Sequence, residues 1–221
     1  MDRSKEKRME NIEDLVGEMI EGADGPTVVF RAKEGEVDFS DLIEYEEEQE
    51  DERFVIRALE GMVWHEQWIA FGTAKEEIQK IFGQPDIVES SYYYFNDELR
   101  LDFDQEGKLA YIEFLDGVEG RLFPEIEGIP IFNLNAKDVL KKLKEKNGGT
   151  IDEEEDGYSY TFFNLSIGVS RGNTPKDIEE MIAQMKADGV DISGNEELEE
   201  EKKKAERWVT FGFGKKAYYT S

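Results

Sequence analysis

Cysteine is absent from the 221 residues, which excludes disulfides, thiolate metal sites, iron–sulfur clusters and cysteine nucleophiles. Histidine occurs once, so a His-rich zinc site cannot be assembled. No stretch approaches the roughly 20 apolar residues that a membrane-crossing helix needs. The opening MDRSKEKRMENIEDL is basic at first, but no apolar signal core follows it. Cations are scarce as well: 27 Lys and Arg stand against 53 Asp and Glu, a net charge of −26. Such a chain suits neither nucleic-acid backbones nor anionic membrane surfaces, where each phosphate contact needs Lys or Arg. No GxSxG elbow, phosphate-binding P-loop or GxGxxG after a strand is present, and FGFGKKA at 211–217 lacks the glycine spacing of a P-loop. These absences lead to the expectation of a soluble cytoplasmic protein with no catalytic motif and no cofactor, binding neither nucleic acid nor membrane.

What is present is aromatic. With 14 Phe, 9 Tyr and 3 Trp the chain has the material for a packed core. The excess negative charge suits a basic protein partner, because opposite fields accelerate encounter. The acids crowd most densely in EYEEEQEDE, 44–52, seven acidic residues in nine, which reads as a solvated loop.

Periodicity gives the elements. Met9, Ile12, Leu15, Val16, Met19 and Ile20 share one face of a helix expected over 9–20, with Gly22, Gly25 and Pro26 stopping it. TVVFRA at 27–32 and RFVIRA at 53–58 read as strands. Two later blocks resemble each other. IAFGTAKEEIQKIFG from Ile69 aligns with IFNLNAKDVLKKLKE from Ile131 at an offset that matches Ala74 with Ala136. SYYYFNDELRLDF then aligns with GYSYTFFNLSIGV, matching Tyr92 with Tyr158 and Leu101 with Ile167. Each block reads as a short helix, a tyrosine-rich strand and an aliphatic strand. LAYIEF at 109–114 supplies a third strand in the first block, and WVTFGF at 208–213 supplies it in the second. Between them, 172–206 reads as two helices: Thr174 caps the first, Pro175 opens it, and Gly189 breaks it. WVTFGFGKKAYY is expected to close as a β-hairpin with Gly214 in its turn. The fold class expected is α+β: a tandem repeat forming a curved antiparallel sheet with helices on one face. The boundaries expected are 1–60, 61–117 and 118–221, the last carrying the helical insertion 172–206.

Three places could carry chemistry. DFDQEGKLAYIE, 102–113, sets Asp102, Asp104, Glu106 and Glu113 nearly in the register of a calcium-binding EF-hand loop. The period-2 flanks argue instead for a hairpin turning on Gly107. His65, inside MVWHEQWIAF, could act as a general base with Glu66. Its plainer place is the polar side of a strand whose other face carries Trp64 or Val63. The run Tyr92 to Phe95 must point rings to both faces of a strand. If Tyr92 and Tyr94 face the core, Tyr93 and Phe95 face outward, or the reverse, and either a covering helix or a partner would meet the outward pair.

The block 71–114 resembles the helix-then-sheet unit of the SmpA/OmlA lipoproteins and the repeat of the β-lactamase-inhibitor-protein fold. The shared marks are the Gly72-Thr73 step, a short Lys-Glu-x-Ile helix, the turn holding Gly83, Pro85 and Asp86, and a strand ending in Asp104, Gly107 and Lys108. The second block keeps this only in outline. The resemblance implies a curved sheet that grips a partner protein. Those relatives carry a lipidated cysteine or disulfides, which this chain cannot. The profile also resembles bacterial immunity proteins, which neutralise cationic toxin domains. The expectation is therefore a non-enzymatic acidic binding module, immunity-like, inhibiting a basic toxin or enzyme. Its contact residues would be Trp64, Trp68, Tyr93 and Phe95, with Glu46, Glu47, Glu48, Asp152, Glu153 and Glu154 steering the approach. The alternatives are a ligand-binding or catalytic pocket at the aromatic sheet, and a calcium-dependent adaptor through Asp102, Asp104, Glu106 and Glu113.

Overall fold

The computed structural model describes residues 15–22, 25–32, 51–153, 155 and 157–220. The chain divides into two compact units, Met1–Glu48 and Gln49–Ser221.

In the first unit, β1 (Leu15–Gly22) pairs antiparallel with β2 (Gly25–Ala32), from Leu15 opposite Ala32 to Gly22 opposite Gly25. The helix expected over 9–20 is therefore a strand from residue 15 onward; residues 9–14 lie outside the described part. Helical spacing of apolar residues loses here to local pairing. Gly17, Val16 and Ile20 are poor helix formers, and TVVF, close by in sequence, offers a full ladder. The run 44–50, with Glu46, Glu47 and Glu48, also lies outside the described residues.

The second unit is α+β, with four helices among its described residues and two sheets that are antiparallel in all but one pairing. The smaller sheet contains β3 (Glu52–Arg57), β4 (Gly61–Trp64), β5 (Gln67–Ala70), β10 (Leu122–Ile126) and β11 (Ile129–Pro130), in the order β11-β10-β3-β4-β5. The pairing of β3 with β10 is the parallel one. The larger sheet has eight strands: β6 (Asp86–Val88), β7 (Ser91–Tyr94), β8 (Leu99–Phe103), β9 (Leu109–Phe114), β12 (Ile151–Asp152), β13 (Ser159–Phe162), β14 (Ile167–Ser170) and β15 (Thr210–Gly214). Their order is β12-β13-β14-β15-β9-β8-β7-β6. One helix, α1 (Lys75–Phe82), precedes β6 to β9, and another, α2 (Ala136–Asn147), precedes β12 to β15. The two strand sets thus occupy opposite halves, meeting where β15 pairs with β9.

Strand alternation explains the layering. Leu99, Leu101, Ile112, Phe114, Ile167, Val169, Phe211 and Phe213 line one face of the eight-stranded sheet and are buried. They share a single core with Phe54, Ile56, Met62 and Ile69 of the smaller sheet and with Ile78, Val139 and Leu143 of the two helices. Burial of such apolar surface is the main driving term. The cap of α1, Ala74, has no side-chain acceptor. Tertiary contacts serve instead: the Lys75 N–H donates to the Gly107 carbonyl at 3.1 Å, and Leu109 N–H to that of Thr73 at 2.8 Å. Asn135 caps α2 through the Lys137 N–H. Trp208, fully buried, donates its indole N–H to the Ala136 carbonyl at 3.2 Å, anchoring α2 beside β15.

The excursion between β14 and β15 forms α3 (Pro175–Ala187) and α4 (Glu196–Ala205). Thr174 and Asp177 make a reciprocal capping box with Pro175 in the first turn, and Gly189 follows the helix at φ 78°. Ile178, Leu198 and Ala205 form their own small cluster.

Pairing corrects the alignment of the two blocks. Tyr94 lies opposite Leu99, and Phe162 opposite Ile167. Ser91 therefore corresponds to Ser159, Tyr92 to Tyr160, and Leu101 to Val169, two residues off the match read from sequence. The helices begin at Lys75 and Ala136, so Ala74 corresponds to the cap Asn135 and not to Ala136. The expected closing hairpin is absent too. After Gly214 the described chain makes no return strand but folds back across the sheet.

Candidate functional site

Pleating puts the partners of the core residues on the other face of the eight-stranded sheet. Cross-strand pairs place Asp86, Tyr93, Arg100, Glu113, Gly212, Gly168, Thr161 and Asp152 in one row across all eight strands. A neighbouring row holds Ser91, Asp102, Tyr111 and Gly214.

Arg100 pairs with two carboxylates in the first half of this face. The Arg100 guanidinium donates to Asp102 at 2.6 Å and to Glu113 at 3.0 Å. Burial alone would lower its pKa; the Asp102 hydrogen bond and the charges of Asp102 and Glu113 outweigh burial and hold it above the usual arginine value. The Tyr111 hydroxyl donates to Glu113 at 3.0 Å and shares a 3.1 Å hydrogen bond with that of Tyr219. Burial pushes Tyr111 well above an ordinary phenol, with Tyr219 and Glu113 adding to it, and burial takes Tyr219 up to about 12.

The middle of the face is floored by glycine. The segment 215–220 crosses it. Tyr218 stacks on Tyr111 with ring centroids 4.5 Å apart and planes 7° from parallel. A Cβ on Gly168 would meet the Tyr219 hydroxyl at 2.7 Å, one on Gly214 would meet Tyr218 Cγ at 2.5 Å, and one on Gly212 would meet Tyr111 Cζ at 2.7 Å. Close approach of rings to backbone thus requires glycine at these positions. Lys215 Nζ reaches Asp104 at 2.8 Å. That contact, with the Lys108 and Glu106 N–H groups, holds Asp104 below the usual carboxylate range. Sequence reading gives no role to Tyr111, Tyr218, Tyr219, Gly168 and Gly212 on this face and puts Gly214 in a hairpin turn; the alternation Phe211-Gly212-Phe213-Gly214 is the available signal.

The four carboxylates read against the EF-hand register do not converge. Strands, not helices, flank the loop, and Gly107 turns at φ 70°. Asp102 and Glu113 hold Arg100, Asp104 holds backbone N–H groups and Lys215, and Glu106 is exposed in the turn. Among the described residues no group of three or more His, Asp or Glu side chains could hold a metal ion.

The four aromatic contact candidates are dispersed. Tyr93 stands on the outer face beside Arg100 and Asp86. Phe95 does not follow it outward. At φ 55° it opens a left-handed run with Asn96 and Asp97, which breaks the strand alternation and returns its ring to the core side. There it packs edge-on against Phe54, Trp64 and Phe82. Trp64 belongs to the same cluster and donates its indole N–H to Glu52 at 3.0 Å. His65 is not on a strand face but in the β4–β5 turn at φ 44°, 2.6 Å from the same Glu52 oxygen. Trp68, 43% exposed, lies opposite Val63 on the smaller sheet, with Arg57 over its ring. Of the acids, Asp152 ends the outer-face row on β12, Glu153 pairs with Lys144, and Glu154 is not among the described residues.

A cleft of about 290 Å³ opens elsewhere, between β3 and the β10–β11 hairpin, lined by Arg53, Phe123, Glu125 and Phe132 among others. None of its lining residues comes from the tyrosine strand. Among the described residues no helix is long and apolar enough to cross a membrane. No family model, no curated protein and no solved structure matches the chain.

Proposed function

We propose that the second unit is a non-enzymatic binding module, built from two copies of one helix-plus-four-strand unit, whose curved eight-stranded sheet holds a basic protein partner on its outer face. A cationic toxin or enzyme domain is the partner class that suits it. The duplicated unit is supported by the mirrored strand order and by the β9–β15 seam, where Phe211 faces Phe114 and Phe213 faces Ile112. Phe114 and Phe213 hold equivalent places in the two halves, opposite Leu99 and Ile167.

The observation that carries the binding role is the outer-face row. Tyr93, a residue type favoured at interface centres, stands there between the Asp86 carboxylate and the Arg100 guanidinium, and Thr161 and Asp152 continue the face to its far edge. The net charge of −26 supports a basic partner. Arg100, Asp102 and Glu113 on the face are satisfied by one another, which is an arrangement for recognition by shape and field and not for proton transfer. Immunity-like inhibition is the form of this reading that the SmpA/OmlA-like and inhibitor-like resemblance favours.

A photo-crosslinking residue placed at Tyr93, at Thr161 and, as control, at Glu179 on α3 tests this in the cells that make the protein. Adducts with one basic protein at the two sheet positions, lost at high salt and absent at the control, are expected. Adducts at Glu179 alone, or none at either sheet position, refute it.

A further inference from the structure

The segment crossing the outer face is itself basic and aromatic: Lys215, Lys216, Ala217, Tyr218, Tyr219. Each part meets a matching feature. Lys215 meets Asp104, Tyr218 meets the ring of Tyr111, and Tyr219 meets the Tyr111 hydroxyl above Gly168. The backbone is held lightly. Past Gly214, the described hydrogen bonds to the backbone are Lys215 N–H to the Ala110 carbonyl, the Ser166 hydroxyl to the Lys215 carbonyl at 3.1 Å, and Tyr218 N–H to that same carbonyl, within the segment. Side-chain chemistry, not a strand ladder, seats it. Such contacts can be exchanged for equivalent ones without unpairing the sheet.

We infer that 215–220 is a resident stand-in for the partner, and that the partner engages this face through a basic segment bearing two adjacent aromatic side chains. This rests on the reading of the outer face as a binding surface. It adds the ligand chemistry: a cation for Asp104, one ring for the Tyr111 stack, and a second ring over the glycine floor. An aromatic pair fits because Gly168 and Gly214 leave room for Tyr219 and Tyr218 that any larger residue would fill, while Gly212 leaves room for the Tyr111 ring on which Tyr218 stacks. The intramolecular copy competes at an effective concentration on the order of millimolar, so a free ligand must displace it.

The probe is the synthetic peptide Lys-Lys-Ala-Tyr-Tyr-Thr-Ser, added to the full chain and to its Tyr218→Ala/Tyr219→Ala variant, with amide resonances of Tyr111, Gly168 and Gly212 followed by NMR. Saturable shifts are expected in the variant, with affinity about tenfold or more above that of the unaltered chain. A peptide with both tyrosines replaced by alanine should move none of these resonances. No shift in the variant, equal affinity for both chains, or equal response to the alanine peptide overturns the inference. Should the double variant not fold, Tyr219→Phe, which removes only the hydroxyl, should bind the peptide with intermediate affinity; affinity no higher than that of the unaltered chain overturns the inference. Crosslinks at Tyr93 with a flat peptide titration would leave the binding face standing and remove the stand-in alone.

Discussion

Gly212→Ala tests the glycine floor most directly. Gly212 is buried, and the Cβ of alanine would lie 2.7 Å from Tyr111 Cζ and closer still to its hydroxyl. Its backbone is not left-handed, so conformational strain does not enter. Tyr111 is 5% exposed and sandwiched by Tyr218, so the ring has to move as a unit. Forcing an extra carbon into a packed site costs about 1–3 kcal/mol. Displacing the ring also forfeits its hydroxyl hydrogen bonds to Glu113 and Tyr219, each worth about 1 kcal/mol net. The expected loss is about 3–5 kcal/mol, a fall in melting temperature of about 6–20 °C for a unit of this size. Gly172→Ala is the control, since a Cβ there meets nothing within 4 Å. Gly168→Ala should fall between the two, about 1 kcal/mol, because the group it meets sits on the lightly held segment 215–220 and can lift away. Thermal unfolding followed by circular dichroism reads all three. A Gly212→Ala chain melting within 2 °C of the unaltered one, on the same scale of about 2–4 °C per kcal/mol, would refute the wedged-ring argument.

Three further outcomes can be checked on the same footing. The Tyr94 hydroxyl is buried with no hydrogen-bond partner among the described residues, so Tyr94→Phe should be neutral or stabilising by about 1 kcal/mol in urea unfolding, against the usual loss for a core change. Glu98, also buried, accepts from the Arg121 and Leu122 N–H groups and from the Arg121 side chain; Glu98→Ala strands those donors and should cost about 3 kcal/mol by the same assay. Burial raises Tyr94 and Tyr219 to about 12 from the unfolded value of 10.0, and Tyr111 further. Their contribution is whole below pH 10 and is lost as pH climbs through 12, so phenolate absorbance should show a late group that titrates together with alkaline unfolding.

Local alternation carried most of what was legible from sequence. Leu99-x-Leu101 and Ile167-x-Val169 announce strands with one buried face, and Thr174-Pro175 with Asp177 announces a helix start, because in both cases the determining contacts lie within a few residues. The order of elements, a helix and then strands at each of two places, was legible, but the alignment of the two blocks did not follow the strand pairing. The identities Ala74/Ala136 and Lys75/Lys137 outweighed the helix-start positions, and only cross-strand pairing shows that Tyr94 answers Phe162. Phe95 was misplaced because alternation assumes extended backbone, and three left-handed residues in succession cancel it. The parallel pairing of 52–57 with 122–126 and the return of 215–220 over the sheet are long-range events that no window of sequence contains. Of the contact residues expected from sequence, Tyr93 and Asp152 stand on the outer face of the eight-stranded sheet, whereas Trp64 and Phe95 pack into the interior.

The position of β15 has a bearing on how the protein is made. This strand, last in chain order, is the central stave of the eight, joining β9 to β14. Without residues 210–214, β9 and β14 lack the neighbour that joins them, so any sheet formed earlier would present an open, strand-ready border beside Phe114 or Val169. Nascent chains and fragments stopped before residue 210 are thus the species most prone to stick to one another, and a holding chaperone would have its greatest effect in that interval.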